Sequence, residues 1–538
     1  MTGGARTAGS YLDRQGAGGW RSWLLSTDHK RIAILYLASM LTMFSVAVIL
    51  GLIMRLEHLK MGGAVVSAQT YNALFTVHGV IMIFMFVVPG LPAVFGNFLL
   101  PIMIGARDVS FPRLNLLSWY CFIGGVGIAL ASLFLGTGAP DTGWTFYAPY
   151  SLRTGTNVSL AVLAAFTLGL SSILTGLNFI TTIHRLRAPG LTWHRLSLYV
   201  WSLYATAWIQ VIVTPVIGIT LLLVVLERVF GVGVFDPAKG GDPLLYQHLF
   251  WIYSHPAVYV MIIPAMGAVS EIIPTFARRT IFGYRAIAYS SIAIAALGSL
   301  VWAHHMFTSG MSDVATFVFS LLTFLVAIPS AIKVFNWTAT LYKGSISLEP
   351  PMLFALSFVF LFCIGGLTGV MQGALSLNTH LHDTYFIVAH FHYVMFGGTG
   401  FAFFGALFYW FPKMFGRMYP TRMVVVGWVH LFVGFNLLYF TMLVLGYMGM
   451  PRRYFDHLPQ FHTGHIIATI GAFPLVAGIF ILLLAVVRGL RSGAPATANP
   501  WGGVTLEWTV ASPPPADNFA TIPTIERPTY AFGPEARR

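Results

Sequence analysis

The stretch TYFIVAHFHYVMFGGTGFAFFGALFYWF, from Thr384 to Phe411, contains no acid or base except His390 and His392. About 20 apolar residues span the hydrocarbon core of a bilayer as an α-helix, so this run is long enough to cross. On a helix, residues two apart point about 200° from each other. The imidazoles of His390 and His392 therefore face opposite sides and cannot bind one small ion. Two histidines bracketing a membrane helix suggest two separate metal centres, one on each side. Ionisable groups at this depth are costly and default to a functional reading. The bland alternative, two hydrogen-bonded core histidines, would be preferred if the pair stood alone.

The surrounding composition sets the fold class. Of 538 residues, 57% are hydrophobic and 9% charged. That excludes an ordinary soluble protein and predicts an all-α, polytopic membrane protein. Twelve spans are expected near 31–55, 71–97, 114–138, 158–183, 197–225, 246–273, 286–307, 316–342, 351–373, 385–411, 424–448 and 463–487. Basic residues gather on one side: Arg6, Arg14, Arg21, Lys30 and Arg31, then Arg107 and Arg113, Arg185 to Arg195, Arg278 to Arg285, and Lys413 to Arg422. The positive-inside rule then makes both termini cytoplasmic, in the inner membrane of a bacterium. The net charge of +13 reflects this topology and not nucleic-acid binding; the surrounding partner is membrane lipid. The first apolar run is long enough to remain as a span, and no cleavable signal peptide is visible. Cys121 and Cys363 lie in spans and say little about redox compartment. Residues 1–30 read as a cytoplasmic arm, 31–488 as the twelve-helix domain, and 489–538 as a Pro-rich cytoplasmic tail.

His390 and His392 do not stand alone. His255 and Tyr259 are spaced i,i+4 in the sixth span and so share one face. His304 and His305 are adjacent at the outer end of the seventh span, and His78 lies near the start of the second. Span parity places all six histidines in the outer half of the membrane. Imidazole suits iron and copper, and haem iron takes axial histidines. His255, His304 and His305 can make a copper site. The tenth span can offer one histidine to each of two haems, with His78 completing one of them. The other iron then keeps an open face towards the copper, a place to bind and reduce dioxygen.

Four motifs carry a specific resemblance: Trp302-Ala303-His304-His305-Met306-Phe307-Thr308, the segment from His382 to Val394 (HDTYFIVAHFHYV), the segment from Gly241 to Trp251 (GDPLLYQHLFW), and Met450-Pro451-Arg452-Arg453-Tyr454. Thr505-Leu506-Glu507-Trp508 and Pro513-Pro514-Pro515 in the tail add to it. The chain resembles subunit I of the haem-copper oxygen reductases, of the cytochrome c oxidase branch, from about Asp28 to the last span. The resemblance implies a proton-pumping oxidase that reduces O2 to water. It implies His78 and His392 as axial ligands of a low-spin haem, His390 as the ligand of a high-spin haem, and His255, His304 and His305 as ligands of copper B. Tyr259 resembles the tyrosine that the family cross-links to its copper-bound histidine. Arg452 and Arg453 would contact haem propionates, and Arg55 resembles the arginine at a haem formyl group, which points to haem A. His382 and Asp383 resemble outer magnesium ligands, and Glu57 a peripheral calcium or sodium site. The implied partners are subunit II with copper A, subunit III, and cytochrome c or a similar electron carrier.

Two polar routes to the cytoplasm are expected. Lys333 with Ser330 and Ser270 matches the family's lysine channel to Tyr259, and burial should lower the lysine pKa, easing proton exchange. Asp108 with Asn97 and Asn115 matches the entrance of its aspartate channel. That second route normally ends in a glutamate two residues after the copper-ligating histidine, where this chain has Ala257. Tyr253-Ser254, just before His255, fits a subset of the family that uses this pair instead. Tyr253 and Ala257 are i,i+4, so the phenol can project into the space the small alanine vacates. Asn378 also departs from an acid found in many relatives. Quinol oxidases carry Arg and Asp on the first span and His and Gln before the first haem ligand; the corresponding residues here are Val46, Leu50, Thr70 and Ala73. A secondary transporter would explain the hydropathy but not the histidines.

Overall fold

The computed structural model describes residues 9–12, 19–63 and 65–532; Arg6 and Arg14 lie outside these. Among the described residues there is no β-strand, only three isolated bridges. Among the described residues, eleven helices are long and apolar enough to cross a membrane, from His29–Glu57 to Pro459–Ser492. Their starts follow ordinary capping chemistry. The side chains of Asp28, Ser67, Ser197, Asp242, Ser312 and Thr384 each accept a hydrogen bond from a first-turn backbone N–H, satisfying donors that the helix leaves free. Proline occupies the first turn at Pro112, Pro243 and Pro350, where no N–H is needed.

The expected seventh span, 286–307, differs. Its α-helix is Tyr284–Gly298, followed after a short break by the 3₁₀ turn Trp302–Met306. At about 1.5 Å per α-residue and 2.0 Å per 3₁₀ residue, the two pieces together reach roughly 30 Å, about the hydrocarbon thickness. The α-helix ends at Gly298, and the 3₁₀ turn carries both His304 and His305 to His255 (centroids 4.2 and 5.1 Å away).

Burial sorts the helices into an inner set and a surround. Within their most apolar windows, Pro243–Ala277 and Tyr385–Phe415 are 89% buried and Ala68–Met103 61%, while no other candidate span exceeds 44%. The three central helices are those carrying His255, His390 with His392, and His78. Two of them depart from α geometry. The chain is π-helical over Ile81–Val87 and Gly90–Gly96, just after His78, and over Met395–Gly400, just after His392. Such π-segments favour functional sites because they re-aim the flanking side chains.

The last helix runs to Ser492. The tail beyond it lies across the end of the bundle that also holds the N-terminal segment. Lys413 Nζ donates to the carbonyls of Ala498, Val510 and Ala511. Asn518 Nδ2 donates to Ala106 and Arg107, Trp508 Nε1 to the Tyr409 hydroxyl at 3.0 Å, and the Tyr530 hydroxyl to Glu271 at 2.5 Å. Tyr11 N donates to Pro514 O at 3.1 Å, joining the two terminal segments.

Candidate metal centre

His255, His304 and His305 come together: one ring nitrogen of each lies within 4.8 Å of the others. His255 Nδ1 is 3.0 Å from His305 Nε2, and His255 Nε2 is buried with no hydrogen-bond partner. Thr323 donates its hydroxyl to Phe319 O, so it accepts from His304 Nδ1–H at 3.0 Å. That leaves His304 Nε2 as the nitrogen with a free lone pair. The His305 ring stacks on Trp251 at 3.7 Å and 10°. Three converging neutral imidazoles, with no thiol or carboxylate in the set, suit copper or a metal of similar taste.

Tyr259 stands one turn from His255, with ring centroids 4.9 Å apart. Its place depends on Gly298, the last residue of the seventh helix: a Cβ there would lie 2.3 Å from Tyr259 Cδ2. Only the missing side chain lets the phenol pass.

The other three histidines share one device. His78 Nδ1–H donates to Ala47 O at 2.8 Å, and His392 Nδ1–H to Val388 O at 2.8 Å. Thr368 donates its hydroxyl to Ile364 O and accepts from His390 Nδ1 at 3.0 Å. In each ring Nδ1 is the protonated nitrogen and Nε2 carries the lone pair, the arrangement that outer-shell partners impose on metal-ligating histidines. Glycines make room for two of the rings. A Cβ at Gly51 would lie 3.2 Å from His78 Cε1, and one at Gly369 3.1 Å from His390 Cε1. His390 bonds Thr368, while the His392 ring stacks on Tyr439 at 4.2 Å and 18°, so the opposed imidazoles of the tenth span face different partners. The donor sets fit haem iron on both sides and copper beyond His390.

The remaining expected residues distribute around this centre. Arg452 forms an ion pair with Asp383, and Arg452 N donates to Asp383 O at 2.9 Å. The Asp383 side chain is more than half exposed; partial desolvation raises its pKa, but Arg452, His382 and Arg453 outweigh it and hold the carboxyl below the usual range. Burial and the neighbouring Arg452 bring Arg453 down to about 10. His382 Nε2 lies 3.6 Å from Asp383 Oδ2. Asp383 and Arg453 both adopt positive φ (54° and 70°), which fixes this corner. Arg55 Nη2 donates to His465 O and Thr469 Oγ1, both at 3.1 Å. Glu57 is buried and its Oε2 accepts from Val65 and Val66 N at 2.9 Å.

Lys333 is fully enclosed, but its Nζ donates to Ser291 Oγ at 2.7 Å and not to either expected serine. Ser330 returns its hydroxyl to Val326 O, and Ser270 bonds Met266 O and Trp337 Nε1. Ser291 was missed because nothing in its own stretch singles out one serine among several. On the other route, Asp108 Oδ1 accepts from Val109 N. Asn97 Oδ1 and both amide atoms of Asn115 are buried without partners. Beyond them Ser118 donates to Asn115 O at 2.7 Å, and Tyr36 joins Ser118 and Ser171 at 3.0 and 2.9 Å. Tyr253 and Ser254 are buried, and Ser254 Oγ also lacks a partner. Buried polar atoms left unpaired by protein are where ordered water binds. Asn378 Nδ2 donates to Gln372 O.

Residues 31–474 match the family model described as cytochrome c and quinol oxidase polypeptide I. The chain belongs to this family. It is 43% identical over 514 residues to cytochrome c oxidase subunit 1 of Thermostichus vulcanus, covering 95% of this chain and 93% of the relative. It is 45% identical to the protein of that name from Synechocystis sp. (94% and 92% covered) and 40% identical to that of Cereibacter sphaeroides (96% and 97% covered). Among solved structures, a heme-copper terminal oxidase dimer matches with a TM-score of 0.73 over 89% of this chain and 85% of its own, at 21% identity, a likeness of fold. The chain is thus the catalytic subunit I of a terminal oxidase, a multi-pass membrane protein of a complex that uses haem and copper.

Proposed function

We propose that this subunit I takes electrons originating from cytochrome c, or a similar small carrier, through copper A of subunit II, with subunit III also in the complex. The complex reduces dioxygen to water and pumps protons across the bacterial cytoplasmic membrane, with both termini on the cytoplasmic side. The observation that carries this reading is the shared set of held nitrogens: Nδ1 of His78, His390, His392 and His304 is each occupied, and His255 Nε2 is buried and unpaired. In this reading His78 and His392 hold one haem A iron, His390 the other, and His255, His304 and His305 copper B. When bound, these metals supply electron transfer and the reduction of dioxygen.

The chain's own residues position and supply protons. Tyr259, one turn from His255, stands where a phenol can deliver a proton and an electron to the reacting oxygen. Lys333 and Ser291 carry protons towards it from the cytoplasmic side. Asp108, Asn97, Asn115, Ser118, Tyr36 and Ser171 line the second route, and Tyr253 with Ser254 replaces the missing carboxylate beside Ala257. A phenol with an ordinary pKa near 10 relays a proton through hydrogen bonds rather than storing a charge. Arg452, Arg453 and Arg55 bind the polar edges of the haems, and His382 with Asp383 holds magnesium on the outer side. A calcium or sodium ion belongs at Glu57. The purified complex should oxidise reduced cytochrome c and leave ubiquinol untouched; rapid quinol oxidation without cytochrome c turnover would reverse the donor assignment.

A further inference from the structure

A second histidine cluster stands apart from the metal centre, beside Arg55. His58 caps the C-terminal end of helix His29–Glu57, His457 lies in the loop before the last helix, and His465 is in the first turn of that helix. All three are buried. Their ring centroids lie 4.5 Å apart for His58–His465, 4.3 Å for His457–His465 and 5.7 Å for His58–His457. One ring nitrogen of each lies within 4.8 Å of the others.

Two of the three rings, His58 and His457, share one hydrogen-bonding pattern. His58 Nε2 is 2.9 Å from the Tyr71 hydroxyl and 3.1 Å from that of Tyr385. His457 Nε2 is 3.0 Å from Nδ1 of a fourth histidine, His462. His465 differs: a guanidinium only donates, so Nδ1 accepts from Arg55 Nη2 at 3.3 Å, and the ring must give up this bond and change tautomer before Nε2 can ligate. The opposite nitrogen of every ring (His58 Nδ1, His457 Nδ1 and His465 Nε2) is buried with no partner. One unpaired buried nitrogen is a modest loss; three in one cluster need an explanation. One nitrogen held and the other left free is how proteins orient histidines for a metal.

We propose that His58, His457 and His465 form an additional metal site that takes a divalent ion of the imidazole-preferring class, represented by zinc(II). Three neutral nitrogen donors with no carboxylate among them select zinc or copper over magnesium or calcium. Three histidines leave a fourth tetrahedral position for water. The neighbouring carboxylates are engaged with backbone: Asp456 Oδ1 accepts from Gly62 N and His457 N, and Glu57 Oε2 from Val65 and Val66 N. The guanidinium of Arg55 opposes a cation here, so the ion is held weakly and exchanges. The His58 and His465 rings stack at 21°.

The test is equilibrium dialysis of the intact oxidase complex against zinc chloride, with bound zinc counted against haem iron. The wild type should bind one zinc per two haem irons through this cluster. His457→Gln and His58→Gln should each lower the affinity at least tenfold with the haem spectrum unchanged. His462→Phe, which only removes the partner of His457 Nε2, should weaken it about tenfold, within the range for outer-shell partners. A parallel dialysis against copper names the ion: copper uptake that depends on His457, beyond the copper of the central site, supports the cluster and changes only the metal. No uptake of either ion, or uptake that both glutamine variants leave unchanged, overturns the proposal.

Discussion

The position of Tyr259 gives the sharpest test of the central geometry, through a residue that never touches the metals. A methyl group at Gly298 would sit 2.3 Å from Tyr259 Cδ2, 2.4 Å from Cε2 and 3.0 Å from Cγ. Carbon atoms in ordinary contact are about 3.5–4.0 Å apart. In Gly298→Ala the phenol ring must therefore retreat by roughly 1.2–1.7 Å, or the helix must shift by as much. Forcing one methyl into a packed interior costs about 1–3 kcal/mol, which the folded complex can absorb. Catalysis is less tolerant, since a displacement of about 1 Å in a reacting group can lower the rate about 100-fold. The expected outcome is oxygen consumption reduced about 100-fold, with haem content and the reduced-minus-oxidised spectrum unchanged. Turnover within about threefold of wild type, at full haem content, would refute the claim that the Tyr259 position limits the chemistry.

Three further outcomes follow from the proton routes and the outer corner. Tyr253→Phe keeps the ring and removes the hydroxyl beside Ala257; turnover should fall by at least tenfold and the protons released per electron should drop, as read by stopped-flow oxygen reduction in vesicles. Normal turnover and pumping in that variant would remove Tyr253 from the route. Lys333→Met should slow reduction of the metal centre by about 100-fold or more, and Ser291→Ala by less, because water can replace one hydroxyl; equal effects would mean that Lys333 works without Ser291. Asp383 has a folded pKa held below its unfolded value, so its stabilising contribution is complete above the ordinary carboxylate range, near 4, and is lost as pH falls through the depressed value. Arg452→Gln should flatten the acid limb of thermal stability between pH 5 and 3, and parallel acid limbs for wild type and variant would show that the pair contributes nothing.

The fold and the six central histidines were legible because their signals are local. Long apolar runs mark spans, and His390-Phe391-His392 shows opposed faces from spacing alone. The twelve-span expectation met its difficulty at 286–307, where hydropathy cannot distinguish a 15-residue helix plus a 3₁₀ turn from one longer helix. The π-helical segments after His78 and His392 gave no warning, since they arise from packing among the central helices and not from composition. Lys333 was readable as a buried base, but its partner Ser291 lies 42 residues away on another helix, and no periodicity links the two. The same holds for His58, His457 and His465, which converge across the whole length of the chain. Tyr36, Ser118 and Ser171 are likewise ordinary hydroxyl residues until three helices bring them together.

A pyridine haemochrome measurement on the purified complex reads the histidine assignment directly. Two haems per copy of this chain are expected, with one lost in His392→Ala and the other retained on His390. A complex containing no haem, or one that keeps both haems in His392→Ala, would contradict it.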